Sequence, residues 1–212
     1  MKKVLLLSIA VSALISCNNT PKETTDKKTD TTIATTSMAA TPPAMDSATV
    51  IQKWNEYMTP GDMHKVLAAM SGKWTAEVSS RISEVATEEK STSACENKMI
   101  FDGRYMQRTR TGTIMGKPFE GMGIIGYDNA KKIFVSTWQD NMSTGILYLE
   151  GPYDAATKTI TVKGTWMDPL KRNIEIRETF TMPDDKTQVI AIYRTPPGGK
   201  EFKYMEMKLA RK

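Results

Sequence analysis

The feature that most constrains this chain is a regular succession of short strand-like segments separated by turn residues. The turns contain glycine, proline, asparagine or aspartate, residues that supply unusual backbone dihedrals or lack an amide donor. The ten segments span residues 73–82, 93–102, 104–114, 118–127, 132–141, 145–153, 158–167, 171–181, 187–195 and 200–210. Short strands joined by tight turns pair sequentially, and closing the sheet removes its exposed edges. The sequence therefore predicts an all-β fold, an antiparallel up-and-down β-barrel of about ten strands, with a two-sheet sandwich as the alternative.

Alternation within the segments supports strands with one buried face. One face of segment 158–167 carries Ile160, Val162, Gly164 and Trp166. In segment 171–181 the apolar face also carries Glu178. A carboxylate on an apolar face must be paired or solvated. Glu178 therefore marks either a wet cavity or a strand end.

A helical pattern precedes the strands. Asp46-Ser47 is an N-cap signal for a helix in which Ile51, Trp54 and Met58 share one face. Thr59-Pro60-Gly61 ends it, and a second short apolar pattern follows. We predict one or two short helices within residues 47–71 and the barrel domain over residues 72–212.

The N-terminus has the form of a bacterial lipoprotein signal. Lys2 and Lys3 precede an apolar run that is too short to span a bilayer. The run ends in Leu14-Ile15-Ser16-Cys17, a lipobox pattern in which Cys17 is alkylated and the chain is cut between Ser16 and Cys17. Residues 1–16 are thus predicted to be removed, and lipid on Cys17 to hold the protein to a membrane.

Residues 17–46 are predicted to be the lipidated cysteine and a disordered tether. This stretch is rich in threonine, with proline and scattered charges but no apolar periodicity, so it cannot bury enough surface to offset the entropy of ordering. A flexible chain of this length holds the domain about 30 Å from the lipid. Asn18 is not the acidic residue associated with inner-membrane retention, so the expected location is the outer membrane of the cell envelope, facing the periplasm or the cell surface.

Composition excludes several function classes. The formal charge is +5, without a basic stripe interleaved with aromatic residues, so no nucleic-acid partner is expected. If Cys17 carries lipid, Cys95 has no disulfide partner, and we interpret it as a small buried residue. His64 is the single histidine, and a surface or capping role fits it better than a metal site. No catalytic residue, metal or cofactor is predicted.

Several polar and aromatic residues are candidates for a ligand pocket. Arg104, Arg108 and Arg110 alternate with Met106 along one segment. They either bind an anion inside the barrel or form a solvated outer face, which is favoured because burying charge is costly. Trp138 and Asp140 share a face, and we interpret them as core packing and a turn-supporting carboxylate. Met205 and Met207 share a face of the last segment and are interpreted as adaptable core residues rather than a copper site.

Three stretches carry a family resemblance. They are Leu67-x-x-Met70-x-Gly72-x-Trp74, Phe101-Asp102-Gly103-Arg104-Tyr105, and a block from Gly116 to Gly145 that contains Gly126-Tyr127-Asp128-Asn129-Ala130 and Ser136-Thr137-Trp138-x-Asp140. Together they resemble the bacterial family catalogued as domain of unknown function 1579, from about residue 62 to the C-terminus. The resemblance implies a lipocalin-like (calycin) barrel and transfers no catalytic residue.

The resemblance also implies how the barrel is closed. Gly72-x-Trp74 is similar to the motif that opens the first lipocalin strand. It implies that Trp74 plugs one end beside the C-terminal strand, with a cation across its indole. Arg211, Lys208 or Arg194 is the expected cation, with Arg211 preferred.

Two functions compete for the domain. The first is a binding module that takes a small apolar or amphipathic ligand, and its pocket candidates are Arg104, Tyr127, Trp138, Asp140, Trp166 and Glu178. The second is a solid-cored structural or interaction protein of the envelope without a small ligand. An enzyme is the weakest hypothesis, because no nucleophile–base pair or metal cluster stands out in the sequence.

Overall fold

The structure is a computed structural model that describes residues 46–114 and 116–212. The lipobox, with Ser16 and Cys17, and the tether up to residue 45 lie outside the described residues. The helices are α1 (Ser47–Met58) and α2 (Asp62–Ala69). The strands are β1 (Gly72–Ser80), β2 (Glu89–Ile100), β3 (Tyr105–Ile114), β4 (Lys117–Asp128), β5 (Ile133–Asp140), β6 (Leu147–Gly151), β7 (Tyr153–Asp154), β8 (Thr159–Met167), β9 (Asn173–Thr181), β10 (Thr187–Thr195) and β11 (Phe202–Arg211).

The strands form one closed antiparallel barrel in which sequence neighbours are also neighbours in space. β1 pairs with both β2 and the last strand, β11, and β6 meets β8 on the other side of the ring. Pro152 separates β6 from the two-residue β7, so the two together occupy one of ten positions around the barrel. The predicted all-β, up-and-down barrel of about ten strands, preceded by short helices, is confirmed, and the sandwich alternative is wrong.

The core occupies the barrel end next to α2. Trp74, Phe134 and Phe180 are fully buried there, and Leu67 of α2 covers them. The carbonyl groups at the end of α2 are satisfied by barrel side chains: the amides of Asn97 and Gln188 both donate to Met70 O at 2.9 Å. A helix end otherwise leaves these acceptors unpaired. α2 is therefore fixed as a lid, and this end of the barrel is closed.

Arg211 completes the closure. Its Cζ lies 4.2 Å from the ring centroid of Trp74, and its guanidinium donates to the carbonyl oxygens of Ala69, Ser71 and Asp185. Gly72 has φ +130, and a Cβ there would lie 2.6 Å from Nη1 of Arg211. Glycine is thus required at this position both by backbone conformation and by the close approach of the guanidinium. Arg211, rather than Lys208 or Arg194, is therefore the cation that lies across the indole of Trp74.

α1 makes much weaker contact with the barrel. Asp46 caps its first turn, and the side-chain amide of Asn129 donates to the carbonyl oxygens of Glu56, Tyr57 and Thr59 at its end. None of its residues is buried, and Trp54 is 58% exposed. Among the described helices, none is long and apolar enough to cross a membrane.

Candidate functional site

The barrel interior carries several charged side chains. Arg108 and Arg110 on β3, Glu178 on β9 and Arg194 on β10 all lie on the inward face of their strands, in step with buried apolar residues. The sequence interpretation of Arg108 and Arg110 as a solvated outer face is wrong, since they are 6% and 7% exposed. The cost of burying charge is met in part by pairing inside the barrel.

Arg108 and Glu178 form that buried pair. Nη1 of Arg108 lies 3.5 Å from Oε1 of Glu178, and Nη2 donates to Ser136 Oγ at 3.0 Å. The guanidinium also lies over the ring of Phe180, 4.6 Å from its centroid. Burial raises the pKa of Glu178 above its ordinary value, and the positive charge of Arg108 only partly opposes this. Glu178 thus marks a buried polar centre rather than a strand end.

Arg110 has weaker partners. Its Nε donates to Ser93 Oγ at 3.2 Å, and its Nη1 contacts the thioether sulfurs of Met205 and Met207 at 3.4 and 3.0 Å. The ring centroid of Phe119 lies 5.1 Å from its Cζ. Burial lowers the pKa of Arg110 from its ordinary value, although a guanidinium stays charged in proteins. The charged guanidinium of Arg110 is therefore held by one hydroxyl group and two weak sulfur acceptors.

Arg194 lies between aromatic rings. Its Cζ is 3.3 Å from the ring centroid of Tyr204 and 5.2 Å from that of Trp166. Its Nε is buried without a hydrogen-bond partner in the described part of the chain, and so is the Nε of Arg108. Burial lowers the pKa of Arg194 as well.

Trp138 and Asp140 also face inward, at the end of β5. The indole Nε1 of Trp138 donates to Oδ2 of Asp140 at 3.0 Å. Oδ1 accepts from the Met142 amide and the Ser143 hydroxyl, so Asp140 holds the turn after β5 as the sequence indicated. Gly121 and Gly123 lie under the Trp138 ring, where a Cβ at Gly121 would come within 2.4 Å of it. Both oxygens of Asp140 are therefore engaged locally.

The remaining pocket candidates lie elsewhere. Arg104 and Tyr127 line a groove of about 560 Å³ on the outer wall, between the end of α1 and strands β3 to β6, together with Tyr57, Tyr105 and Tyr148. His64 reaches the same groove, but it is buried, and its Nδ1 accepts the Gly61 amide at 3.0 Å. Its capping role is thus confirmed, whereas a surface position is wrong. Trp138, Asp140, Trp166 and Glu178 lie in the interior and Arg104 lies in the groove. Tyr127 reaches the groove and also packs on the buried ring of Phe134, with 5.0 Å between the ring centroids.

A second cavity lies at the closed end. It measures about 290 Å³ and is lined by Val66 of α2, by Met70 at its end, and by barrel residues such as Ile160 and Phe180.

Cys95 faces the interior beside Ser93 and is half-buried, and burial raises the pKa of its thiol. Within residues 46–114 and 116–212, no group of three or more His, Cys, Asp or Glu side chains is arranged to hold a metal ion.

Comparison with known proteins decides the family. The profile of a family described as protein of unknown function (DUF1579) matches residues 59–211, which include α2 and every strand. The chain belongs to this family. No curated protein sequence matches this DUF1579 chain. Among solved structures, one described as a redesigned beta barrel is 14% identical over 72% of this chain and 99% of its own, with a TM-score of 0.37, too low to support further argument.

Arg194, Ser93 and Tyr204 of this DUF1579 domain were not predicted from the sequence to belong to the interior site. Arg194 continues the inward alternation of Ile190 and Ile192, and that periodicity could have placed it. Ser93 and Tyr204 carry no comparable signal. Tyr204 reaches Arg194 beside a register shift between β10 and β11, which no local pattern reveals.

Proposed function

We propose that the interior of this DUF1579 barrel, around these charged groups, binds a small amphipathic molecule. The observation that carries this proposal is the pair of orphan guanidinium nitrogens, Nε of Arg108 and Nε of Arg194. Buried polar atoms nearly always have a partner, and exceptions are explained by a bound group or by strain. Ser71, Trp74 and Gln188 supply other unpartnered atoms, but these neutral groups lie by the lid helix. A charged donor left unpaired costs more than a neutral one.

The surroundings suit an amphipathic molecule. Around the charged groups, the inward faces of the strands carry Leu147, Trp166, Ile174, Ile176 and Ile192. Apolar walls with a few converging polar groups are typical of small-molecule sites. Because Trp74 and α2 close the opposite end, entry at the loops remote from α2 is part of the proposal.

A fluorescence titration tests this binding. N-phenyl-1-naphthylamine, a neutral amphipathic dye that brightens in apolar surroundings, is expected to bind the wild-type protein saturably. Trp166→Ala removes an aromatic wall, and we expect it to weaken dye binding about fivefold. Met167→Ala on the outward face of the same strand is the matched control and is expected to change it less than about twofold. No saturable binding, or equal effects of the two substitutions, would refute the proposal.

We also propose that the barrel works in the cell envelope, held by lipid on Cys17 at the outer membrane. The lipobox and the threonine-rich stretch after it support this location. Native mass spectrometry of protein purified from the envelope of its host adds a direct search for the bound molecule. A co-purifying small molecule supports the binding module, whereas protein that is free of ligand and also fails to bind the dye supports a solid core.

One observation favours a second candidate, an interaction protein. α1 exposes Ile51, Trp54 and Met58 on one face, and the outer groove continues from its end. Exposed apolar surface of this kind is typical of contact sites. A photo-crosslinking residue at position 54 would capture such a partner in intact cells as a discrete product. The same residue at position 208, on the outward face of β11, is the control, and equal products from both positions would reject this function.

A further inference from the structure

The charges inside the barrel do not balance. Three guanidinium groups, those of Arg108, Arg110 and Arg194, face two carboxylates, Glu178 and Asp140. Glu178 is committed to Arg108 at 3.5 Å. Neither Arg110 nor Arg194 has a carboxylate within 4.0 Å in the part of the chain that the structure describes. The interior around these groups is therefore electropositive.

Arg110 is the group with the most to gain from a new partner. Its planar, five-donor fork matches a carboxylate or another oxyanion in two parallel hydrogen bonds. Here one arm meets only the sulfurs of Met205 and Met207, and thioether sulfur is a weak acceptor. Methionine is also flexible, so both side chains can yield to an entering group.

We propose that the molecule bound in the barrel is an anionic amphiphile whose oxyanion head is received by Arg110, with Arg194 attracting it at the mouth. The inference rests on the proposed function and specifies its ligand class. Asp140 makes no ion pair with Arg110 within 4.0 Å among the described residues, and its oxygens accept from the Trp138 indole and the following turn. Phe119 beside Arg110, with Ile176 and Ile192 on the facing strands, provides apolar surface for the body of the molecule.

Two dyes that differ in one group test the charge. 8-Anilino-1-naphthalenesulfonate has the ring system of N-phenyl-1-naphthylamine and adds a sulfonate. We expect the wild-type protein to bind the sulfonate dye about tenfold more tightly, as a charge-assisted pair at a desolvated site predicts. Arg110→Gln should abolish this preference by weakening the sulfonate dye about tenfold while leaving the neutral dye within about threefold. Arg194→Gln should reduce the preference by a smaller factor.

Arg104→Gln is the matched control, because Arg104 is an arginine of the outer groove and not of the interior. It should leave both affinities within about twofold. Near-ultraviolet circular dichroism and thermal melting confirm that each variant is folded, and Arg110→Lys, which keeps the charge, should retain part of the preference. If Arg104→Gln abolishes the preference and Arg110→Gln does not, the site is the outer groove and the inference is overturned.

The two proposals fail in different ways. Equal affinity of the wild-type protein for both dyes overturns the anionic class and leaves binding intact. Absence of binding by either dye overturns the proposed function itself. A displacement assay then tests whether binding needs an apolar body as well as an anionic head. Octanoate should displace the sulfonate dye, and acetate or sulfate at the same concentration should not. Displacement by acetate and octanoate alike would reduce the site to one for small anions and overturn the amphiphile.

Discussion

The contact between Trp74 and Arg211 makes a quantitative prediction about barrel closure. Trp74 is fully buried between β1, β11 and α2, so Trp74→Ala removes a large apolar side chain and leaves a cavity. Such truncations cost about 3–5 kcal/mol of unfolding free energy. A domain of this size has about 5–15 kcal/mol in total, so the variant should fold but be much less stable.

Arg211→Ala should cost less. It removes three charge-assisted hydrogen bonds to carbonyl oxygens and the stacking on the indole, but the side chain is exposed to solvent. We expect about 1–2 kcal/mol in all. In the double variant, the stacking is lost only once, so the two single costs should exceed the double cost by about 1 kcal/mol.

Urea unfolding followed by far-ultraviolet circular dichroism measures all three variants, since removing Trp74 would confuse a fluorescence signal. Met167→Ala, at a 61% exposed position, is the control and should shift stability by less than about 0.5 kcal/mol. A cost below about 1.5 kcal/mol for Trp74→Ala would show that the indole does not close the barrel. A coupling of zero would show that Arg211 acts through α2 alone.

Four further predictions concern charged groups and the anchor. Arg110→Met should leave the protein as stable or more so, because an apolar side chain replaces a buried charge held by weak partners, as thermal melting will show. Burial raises the pKa of Glu178 above 4.5, so its stabilising contribution is fully present below pH 4.5 and is lost as the pH rises through the folded-state pKa. The unfolding free energy of wild type minus that of Glu178→Gln should therefore fall as the pH rises. Burial, with the charge of Arg104, lowers the pKa of His64 below 6.5, so its contribution is present above pH 6.5 and is lost as the pH falls through the folded-state pKa; His64→Gln should flatten that loss. Cys17→Ser should abolish palmitate labelling and leave unprocessed precursor.

Each of these has a result that contradicts it. A loss of more than about 3 kcal/mol in Arg110→Met would assign that arginine a structural role, as for a broken buried pair. A stability difference that rises with pH would mean that the Glu178 pKa is lowered in the folded protein. An identical pH dependence of the unfolding free energy in wild type and His64→Gln would exclude a lowered pKa of His64. Cys95→Ser is the control for labelling, and loss of label there but not in Cys17→Ser would refute the lipobox.

The sequence predicted the fold well because its signals were local and repeated. Alternation along each strand and turn residues between strands are readable within ten residues, and the resemblance of Gly72-x-Trp74 to the lipocalin opening motif implied the position of Trp74. The interior site depends on contacts between distant strands. Arg110 meets Met205 and Met207 across 95 and 97 residues of sequence, and Arg108 meets Glu178 across the barrel. Alternation shows which residues share a strand face, but it does not show whether that face points into the barrel or outward. Because burying charge is costly, the outer face was the favoured interpretation for Arg108 and Arg110. For Arg108 it was wrong because the Glu178 carboxylate on β9 lies opposite, and for Arg110 because Ser93 and the sulfurs of Met205 and Met207 accept from the buried guanidinium.

The pairing of β1 with β11 also governs when the barrel can form. Trp74 pairs with Arg211, so the first strand has no final neighbour until the last residues have left the ribosome. Contacts between strands so far apart in sequence are slow to form, because the entropy of closing the intervening loop precedes any gain. A growing chain therefore presents open strand edges throughout synthesis, a state prone to aggregation that chaperones normally shield. Under the export proposed above, the same delay is useful, since a barrel that cannot close early stays unfolded until translocation is finished.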